Sequence, residues 1–418
     1  MGKIKSLWKK LGAGFITGAA NDEPSGIATY SIAGARFGLS SLWMALFSLP
    51  LMIAVQEMAG RIGRVTNLGL AGNMKKFYPR WVLLSIAILM VGVNTINIGA
   101  DMSGMAQSVA TILPIPEKLG AVLITLVILT ATIFLPYQKI FTIFKWLTLS
   151  LLAYIFAAFT IHQDWPRIFY HLIVPHITFS KDFFIILTAF FGTTIAPYMF
   201  FWQANQEVEE KIIEQCKPGR LCRLKPANEE ELKILQTDTR IGMIFSNLIT
   251  FFIVILTSAT LFRAGLHNVE SLKDAAEALR PLAGDFSYLL FTLGIVSSGF
   301  LAIPVLAGSA AYIVAEVFNW PNGLNKTFTK AKEFYGVILV STVIGLLIPL
   351  LGFHTIKALF YTAILYGTIS PIIIFMILHM ANNKKVMGKF TNSKYLNFWG
   401  HLAFAVMAFL SISIFFLL

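Results

Sequence analysis

The sequence predicts an all-α membrane protein of about eleven transmembrane helices, the first and the sixth broken near their centres. Three observations carry that prediction. The chain of 418 residues is 56% hydrophobic and only 13% charged, whereas soluble domains carry roughly 25% charged residues. Apolar runs of about 20 residues, the length that crosses a bilayer as a helix, recur along the whole chain. Acidic residues, prolines and small residues interrupt the first and sixth of these runs.

In order, the predicted spans cover residues 11–35, 41–60, 81–112, 119–135, 141–161, 183–203, 238–262, 284–318, 334–351, 355–380 and 396–418. Several are long enough to tilt or to extend past the bilayer. Together they make one transmembrane unit over 1–418. Spans one to five (11–161) and six to ten (183–380) form two five-helix sets, and the last span (396–418) is an addition.

Basic residues predict the orientation. Most of the 33 Lys and Arg fall in alternate segments, starting with Lys3, Lys5, Lys9 and Lys10 at the N-terminus. Arg61, Arg64, Lys75, Lys76 and Arg80 follow span two, and the stretch from Lys211 to Arg240 follows span six. Such loops stay in the cytoplasm. The expectation is a multi-pass protein of the cell membrane with a cytoplasmic N-terminus and the C-terminus outside. The net charge of +12 then reflects topology, with the lipid bilayer as partner and no nucleic acid. MGKIKSLWKK is basic, but no cleavage site follows it, so no cleaved signal peptide is expected. Cys216 and Cys222 share one polar loop with no nearby His, too few ligands for structural zinc; two reduced cytosolic thiols are expected.

The interruptions are informative. Span one reads LGAGFITGAANDEPSGIATYSIAGARFG, with Asn21, Asp22, Glu23, Pro24, Ser25 and Gly26 in its middle. Acids at membrane depth are costly and are retained for function. Proline lacks an N–H and glycine tolerates unusual dihedrals, so an unwound stretch is expected, its freed carbonyls facing a polar cavity. In a regular helix Asp22 and Glu23 would point about 100° apart; only an unwound backbone turns both toward one site. Span six reads KDFFIILTAFFGTTIAPYMFFWQANQEVEE, interrupted by Gly192, Thr193, Thr194, Ala196 and Pro197. These breaks open the two five-helix sets. Interrupted segments at matching places of two halves point to a transporter site between them, near the midplane.

Over these residues the chain resembles the NRAMP family of divalent-metal transporters, which have the LeuT-like 5+5 inverted-repeat fold. The resemblance covers nearly all the spans and is strongest over GAGFITGAANDEPSGIATYSIAGARFGLSSLW, NIGADMSGMA and GTTIAPYMFFWQANQEVEE. Three departures stand out. Where the family has Asp-Pro-Gly-Asn in its first helix, this chain has Glu23-Pro24-Ser25-Gly26, preceded by Asp22. Where the family has Met-Pro-His in its sixth, it has Ala196-Pro197-Tyr198. In the third helix Asp101 is kept, but the Glu three residues on is Gly104. The resemblance implies a divergent bacterial branch whose substrates differ from those of classical members; one such branch resembles a magnesium transporter without proton coupling.

The donors left near the breaks are oxygens: Asp22, Glu23, Ser25, Thr193, Thr194, and the carbonyls of Ala20 and Ile195, with Asp22 and Glu23 as the expected metal ligands. Oxygen donors suit hard cations such as Mg²⁺, Mn²⁺ and Ca²⁺. The same stretch leaves room for a small organic substrate such as an amino acid, with Gly26, Ala196, Tyr198 and Trp202 as lining. Asp101 is a candidate proton or ion relay, or else a carboxyl satisfied by Asn94, Asn97 or Ser103. Glu57, one turn before Arg61, is expected to form an ion pair with it, and Glu316 to be interfacial. The stretch Gln203–Arg240 reads as a cytoplasmic helix-turn segment, and His162, His171 and His176 as solvated loop residues. No Walker A, Rossmann, nucleophile-elbow or HExxH pattern is present, so neither an enzyme nor a cofactor is expected.

Overall fold

The computed structural model describes residues 12–135, 148–216, 224–280 and 287–417, together with 139, 143, 146 and 284. Among them every regular element is helical: α1 (Ala13–Ala20), α2 (Pro24–Phe37), α3 (Trp43–Thr66), α4 (Leu70–Phe77), α5 (Arg80–Ala110), α6 (Glu117–Phe134), α7 (Leu152–Thr160), α8 (Trp165–Ile173), α9 (Lys181–Thr194), α10 (Pro197–Gln215), α11 (Glu229–Thr257), α12 (Leu272–Glu277), α13 (Ser287–Phe318), α14 (Lys332–Gly345), α15 (Leu347–Leu351), α16 (Thr355–Asn382), α17 (Lys384–Met387) and α18 (Lys394–Leu417). Local chemistry sets many of the ends. Ser180 caps α9 through the N–H of Phe183, and Asn228 caps α11 through that of Glu231. Asn67 ends α3 in the left-handed region at φ 57°.

Nine spans among the described residues are long and apolar enough to cross a membrane, with α9 and α10 counted as one and α14 and α15 as another. The first predicted span is the pair α1 and α2, neither half long enough alone. The predicted fifth span is described continuously from Thr148 onward, ending in α7; before that only 143 and 146 of it are described, and the basic N-terminus lies outside the described residues. The peripheral helices α6, α14, α15 and α18 expose Leu123, Phe134, Val340, Leu351 and Phe415, an apolar surface suited to lipid.

Inside, helices meet through small residues, because lipid supplies no hydrophobic push and close backbone packing must replace it. A Cβ on Gly18 would lie 2.2 Å from the carbonyl oxygen of Gly242, so α1 and α11 touch backbone to backbone. A Cβ on Gly192 would lie 2.1 Å from the carbonyl of Ala363, and α9 meets α16 in the same manner. Each first half of a broken helix is thus held on its long neighbour by glycine.

Several sequence expectations change here. The helical parts of the stretch Gln203–Arg240 are extensions of membrane helices. The first part continues α10 and the last part opens α11, and their acids gather under α1. The backbone N–H groups of Gly12 and Gly14 donate to Asp238 at 2.9 and 2.7 Å, and that of Ala13 to Glu210 at 2.7 Å. These are N–H groups that a helix start leaves unpaired. Arg64 ties Glu214 and Glu231 to α3 at 2.5 and 3.2 Å. Glu57 pairs across helices with Arg240 and Gln236, while Arg61 donates to the carbonyl of Phe390; the neighbouring helix outcompetes the in-helix partner. Glu316, two residues from the end of α13, is buried, because the N–H groups of Gly69 and Gly72 at the start of α4 bind its carboxylate. Cys216 is disulfide-bonded, against the expected free thiol; Cys222 lies outside the described residues. His171 lies on the short helix α8, its ring 4.7 Å from that of His176. Partial burial, with His176 and Arg167 nearby, lowers its pKa and keeps it neutral near pH 7.

Candidate functional site

Both breaks are built by the same device. Asn21 still has helical dihedrals at the end of α1, but Glu23 turns extended at φ −68°, ψ 166°, and Pro24 is the first residue of α2. Thr194 ends α9, Ala196 turns extended at φ −78°, ψ 128°, and Pro197 is the first residue of α10. A first helical residue has an N–H without an intrahelical partner in any case, so proline starts a helix at no loss. The unwound backbone is therefore shorter than the sequence suggested: residues 21–23 and 195–196. Gly26 and Tyr198 belong to the half-helices that follow. Gly26 matters for closeness: a Cβ there would lie 3.2 Å from the carbonyl of Asn21 and 3.3 Å from Thr193 Oγ1.

Glu23 is the meeting point of the two breaks. Ser25 donates to one of its carboxylate oxygens at 2.6 Å. The Tyr198 hydroxyl donates to the other at 3.1 Å and lies 3.3 Å from the carbonyl of Ala20. One phenol from the second broken helix thus spans the gap in the first. Asp101, on α5, faces the first turn of α2 close enough to Glu23 for the two charges to interact. Its oxygens make no close hydrogen bond, the backbone N–H of Ser25 being the donor they face, and the amide of Asn97 one turn earlier faces Glu23 and Tyr366 without a close partner. Of the other two candidate partners, Asn94 is engaged with Leu306 and Tyr366 instead, and the Ser103 hydroxyl makes no hydrogen bond to Asp101.

Asp22 turns the other way. Ser246 on α11 donates to Asp22 Oδ1 at 3.1 Å and accepts from the Asn21 amide at 3.0 Å. The unwinding separates the two adjacent acids instead of joining them. At the second break Thr194 donates to the carbonyl of Phe190 and meets the Tyr30 hydroxyl at 3.3 Å, while Thr193 Oγ1 has no partner among the described residues. The carbonyl of Ile195, expected to be free, accepts from Ser370 at 2.9 Å. Ser370 and Ser246 were not singled out from the sequence, although a hydroxyl beside Pro371 in a predicted span was a usable signal. Trp202 packs on α13 against Tyr312 and Gly308, one turn beyond Tyr198 and away from the breaks.

Asp22, Glu23, Ser25, Asp101, Thr194 and Tyr198 are all fully buried, so this conformation closes the site from both sides of the membrane. The polar side chains brought to the breaks are carboxylates, hydroxyls and amides. Among the described residues no three His, Cys, Asp or Glu side chains converge as a metal cluster, so a cation here has at most a pair of carboxylates with neutral oxygens around them.

An all-helical membrane protein whose closed core lies between two interrupted helices has the LeuT-like fold. The chain belongs to the natural resistance-associated macrophage protein-like family, the NRAMP family, whose profile matches residues 14–417. Among its relatives is the divalent metal cation transporter MntH of Caldanaerobacter subterraneus subsp. tengcongensis, 26% identical over 402 residues, covering 94% of this chain and 89% of the relative. The MntH of Mesorhizobium japonicum is 23% identical, covering 92% and 83%. The manganese transporter of Eremococcus coleocola, solved with an aromatic bis-isothiourea substituted compound, superposes with a TM-score of 0.78 at 17% identity, covering 99% of this chain and 88% of that one. Mhp1, a nucleobase-cation-symport-1 family transporter in a closed conformation with bromovinylhydantoin bound, superposes at 0.53 with 12% identity, covering 97% and 92%.

Proposed function

We propose that this protein carries a hard divalent cation, Mg²⁺ or Mn²⁺, across the cell membrane from a site at the two breaks, with little or no proton coupling. The observation that carries this reading is the Glu23 carboxylate, fully buried and held between the two broken helices by Ser25 and Tyr198. Family membership and relatives named as divalent metal cation transporters support the ion class. The oxygen donors support the choice of ion, since hard cations prefer oxygen and a thioether or imidazole favours softer metals. Glu23 and Asp101 supply the two negative charges that match a divalent cation, with Ser25, Asn97 and Thr193 as neutral donors. A small organic substrate finds less support, because Tyr198 fills the gap between the breaks with its own ring. In this scheme the N-terminus is cytoplasmic and the two halves 11–161 and 183–380 are inverted repeats that alternate around the site.

Proteoliposomes are expected to take up Mg²⁺ and Mn²⁺ saturably, with half-saturation concentrations within about tenfold of each other, a difference of about 1.4 kcal/mol. Competition between the two ions measures it. A strong preference for Fe²⁺ or Cd²⁺ over Mg²⁺ would contradict the oxygen-only site.

The proton prediction has its own basis. The family's third-helix acid is Gly104 here, packed against Pro24 and Leu359, and the sixth-helix histidine is Tyr198. Glycine has no side chain, and a phenol releases no proton near neutrality. Inward movement of a cation is instead driven by its gradient and the membrane potential, at about 2.3 kcal/mol per charge per 100 mV. A pH dye inside the liposomes is expected to show no acidification that scales with uptake. Acidification that scales with uptake, and that vanishes in Asp101→Asn while divalent uptake persists, would show that this residue carries the proton alone.

A further inference from the structure

Asp22 is left without a role in the divalent site, yet it is fully buried, and the groups around it are unusual. Its Oδ2 has no hydrogen-bond partner among the described residues. Asn21 Oδ1 likewise has none, and neither the Thr250 hydroxyl on α11, which faces the Tyr30 hydroxyl, nor the Tyr154 hydroxyl on α7 makes a close hydrogen bond. All four residues are at least nine-tenths buried. They belong to one neighbourhood. Ser246 and Thr250 are one turn apart on α11, and Ser246 binds both Asp22 and Asn21. The Tyr30 hydroxyl faces both Asp22 and Thr250, while the Tyr154 hydroxyl lies toward Gly294 of α13, within electrostatic range of Asp22. Buried polar atoms without partners are rare in folded proteins, and a cluster of them around one carboxylate calls for a water or an ion. Here several oxygens lack partners together, on the side of the break away from Glu23.

We infer that Asp22, Asn21, Ser246 and Thr250 form a second cation subsite, for a dehydrated monovalent ion such as Na⁺. The donor set is all oxygen, which a hard cation requires. The charge decides the valence. One carboxylate among neutral hydroxyls and an amide is balanced by one positive charge, and a net charge left inside the membrane is costly. The divalent substrate has the Glu23 and Asp101 pair on the opposite face of the same break. An ion at Asp22 would tie the break between α1 and α2 to α11, and so favour the closed arrangement. The inference rests on the divalent reading only in assigning Glu23 and Asp101 to the substrate.

The test is thermal unfolding of the purified protein in detergent, with sodium chloride titrated against choline chloride at equal ionic strength, first without and then with Mg²⁺. The expected result is a saturable Na⁺-specific rise in melting temperature. Asp22→Asn and the near-isosteric Thr250→Val should each weaken the Na⁺ half-saturation by about ten- to a hundredfold, the loss expected for a ligand of a charged group. Thr250→Val should keep the Mg²⁺ response, and Asp22→Asn should weaken it less than Glu23→Gln does. Equal stabilisation by sodium and choline overturns the inference, and so does a Na⁺ response that survives Asp22→Asn. Loss of the Mg²⁺ response in Asp22→Asn without any Na⁺ effect also overturns it, by making Asp22 a substrate ligand. A Na⁺ response lost in Asp22→Asn, in a protein that never responds to divalent ions, leaves this subsite standing while the divalent reading fails.

Discussion

Glu23→Gln is expected to reduce divalent-cation uptake into proteoliposomes to the level of empty vesicles, and to raise the dissociation constant at least about a hundredfold, near 2.7 kcal/mol. Two effects act together. The substitution removes a charge that faces Asp101 and the first turn of α2. It also replaces one carboxylate oxygen by an amide NH₂, although Ser25 and Tyr198 both donate to this group. An NH₂ opposite a donor leaves one buried pair mismatched, so the half-helices lose their shared anchor. Asp22→Asn is expected to cost far less, because Asp22 turns to Ser246 and not toward the second break. Isothermal titration with Mn²⁺ on both variants ranks them. The opposite ranking would make Asp22 the primary ligand.

Gly18→Val is expected to have the second large effect. The added Cβ would lie 2.2 Å from the carbonyl oxygen of Gly242 and 2.3 Å from its carbon. Both are backbone atoms, so no side-chain rotation relieves the clash, and α1 must leave α11. Overpacking of this kind costs about 1–3 kcal/mol. Where α1 does leave, its hydrogen bonds to Asp238 and Glu210 break and the site opens at that end. A cysteine introduced at Ser25, fully buried in the closed state, reports the opening. It should react with a water-soluble thiol reagent in the Gly18→Val background and resist it otherwise. Equal protection in both backgrounds would refute the close packing of α1 on α11.

Much of the fold was legible because membrane helices obey a simple rule. Each must be long, apolar and internally hydrogen-bonded, so the span limits appear in composition alone. The breaks were legible for the same reason, since only a functional gain keeps Asp22, Glu23 and Pro24 at membrane depth. Proline was the less reliable guide to where the unwinding ends. Pro24 and Pro197 mark the first residue of the second half-helix, so the expected unwound stretch ran a few residues too far. The long-range polar partners were not legible. Nothing local tells that Glu316 meets the N–H groups of Gly69 and Gly72, or that Glu57 prefers Arg240 to Arg61.

By itself the sequence determined that this chain spans a membrane many times, where its two helices break, and that oxygen is the donor it keeps there. Those properties depend on residue type and spacing within one segment, which the chain order states directly. Only the tertiary structure decided that Glu23 joins the two breaks while Asp22 leaves for α11, and that Tyr198 and Ser370 take the carbonyls of Ala20 and Ile195. The direction of a side chain at an unwound residue follows from backbone dihedrals, and the neighbouring helices fix those by where their small residues let them come close.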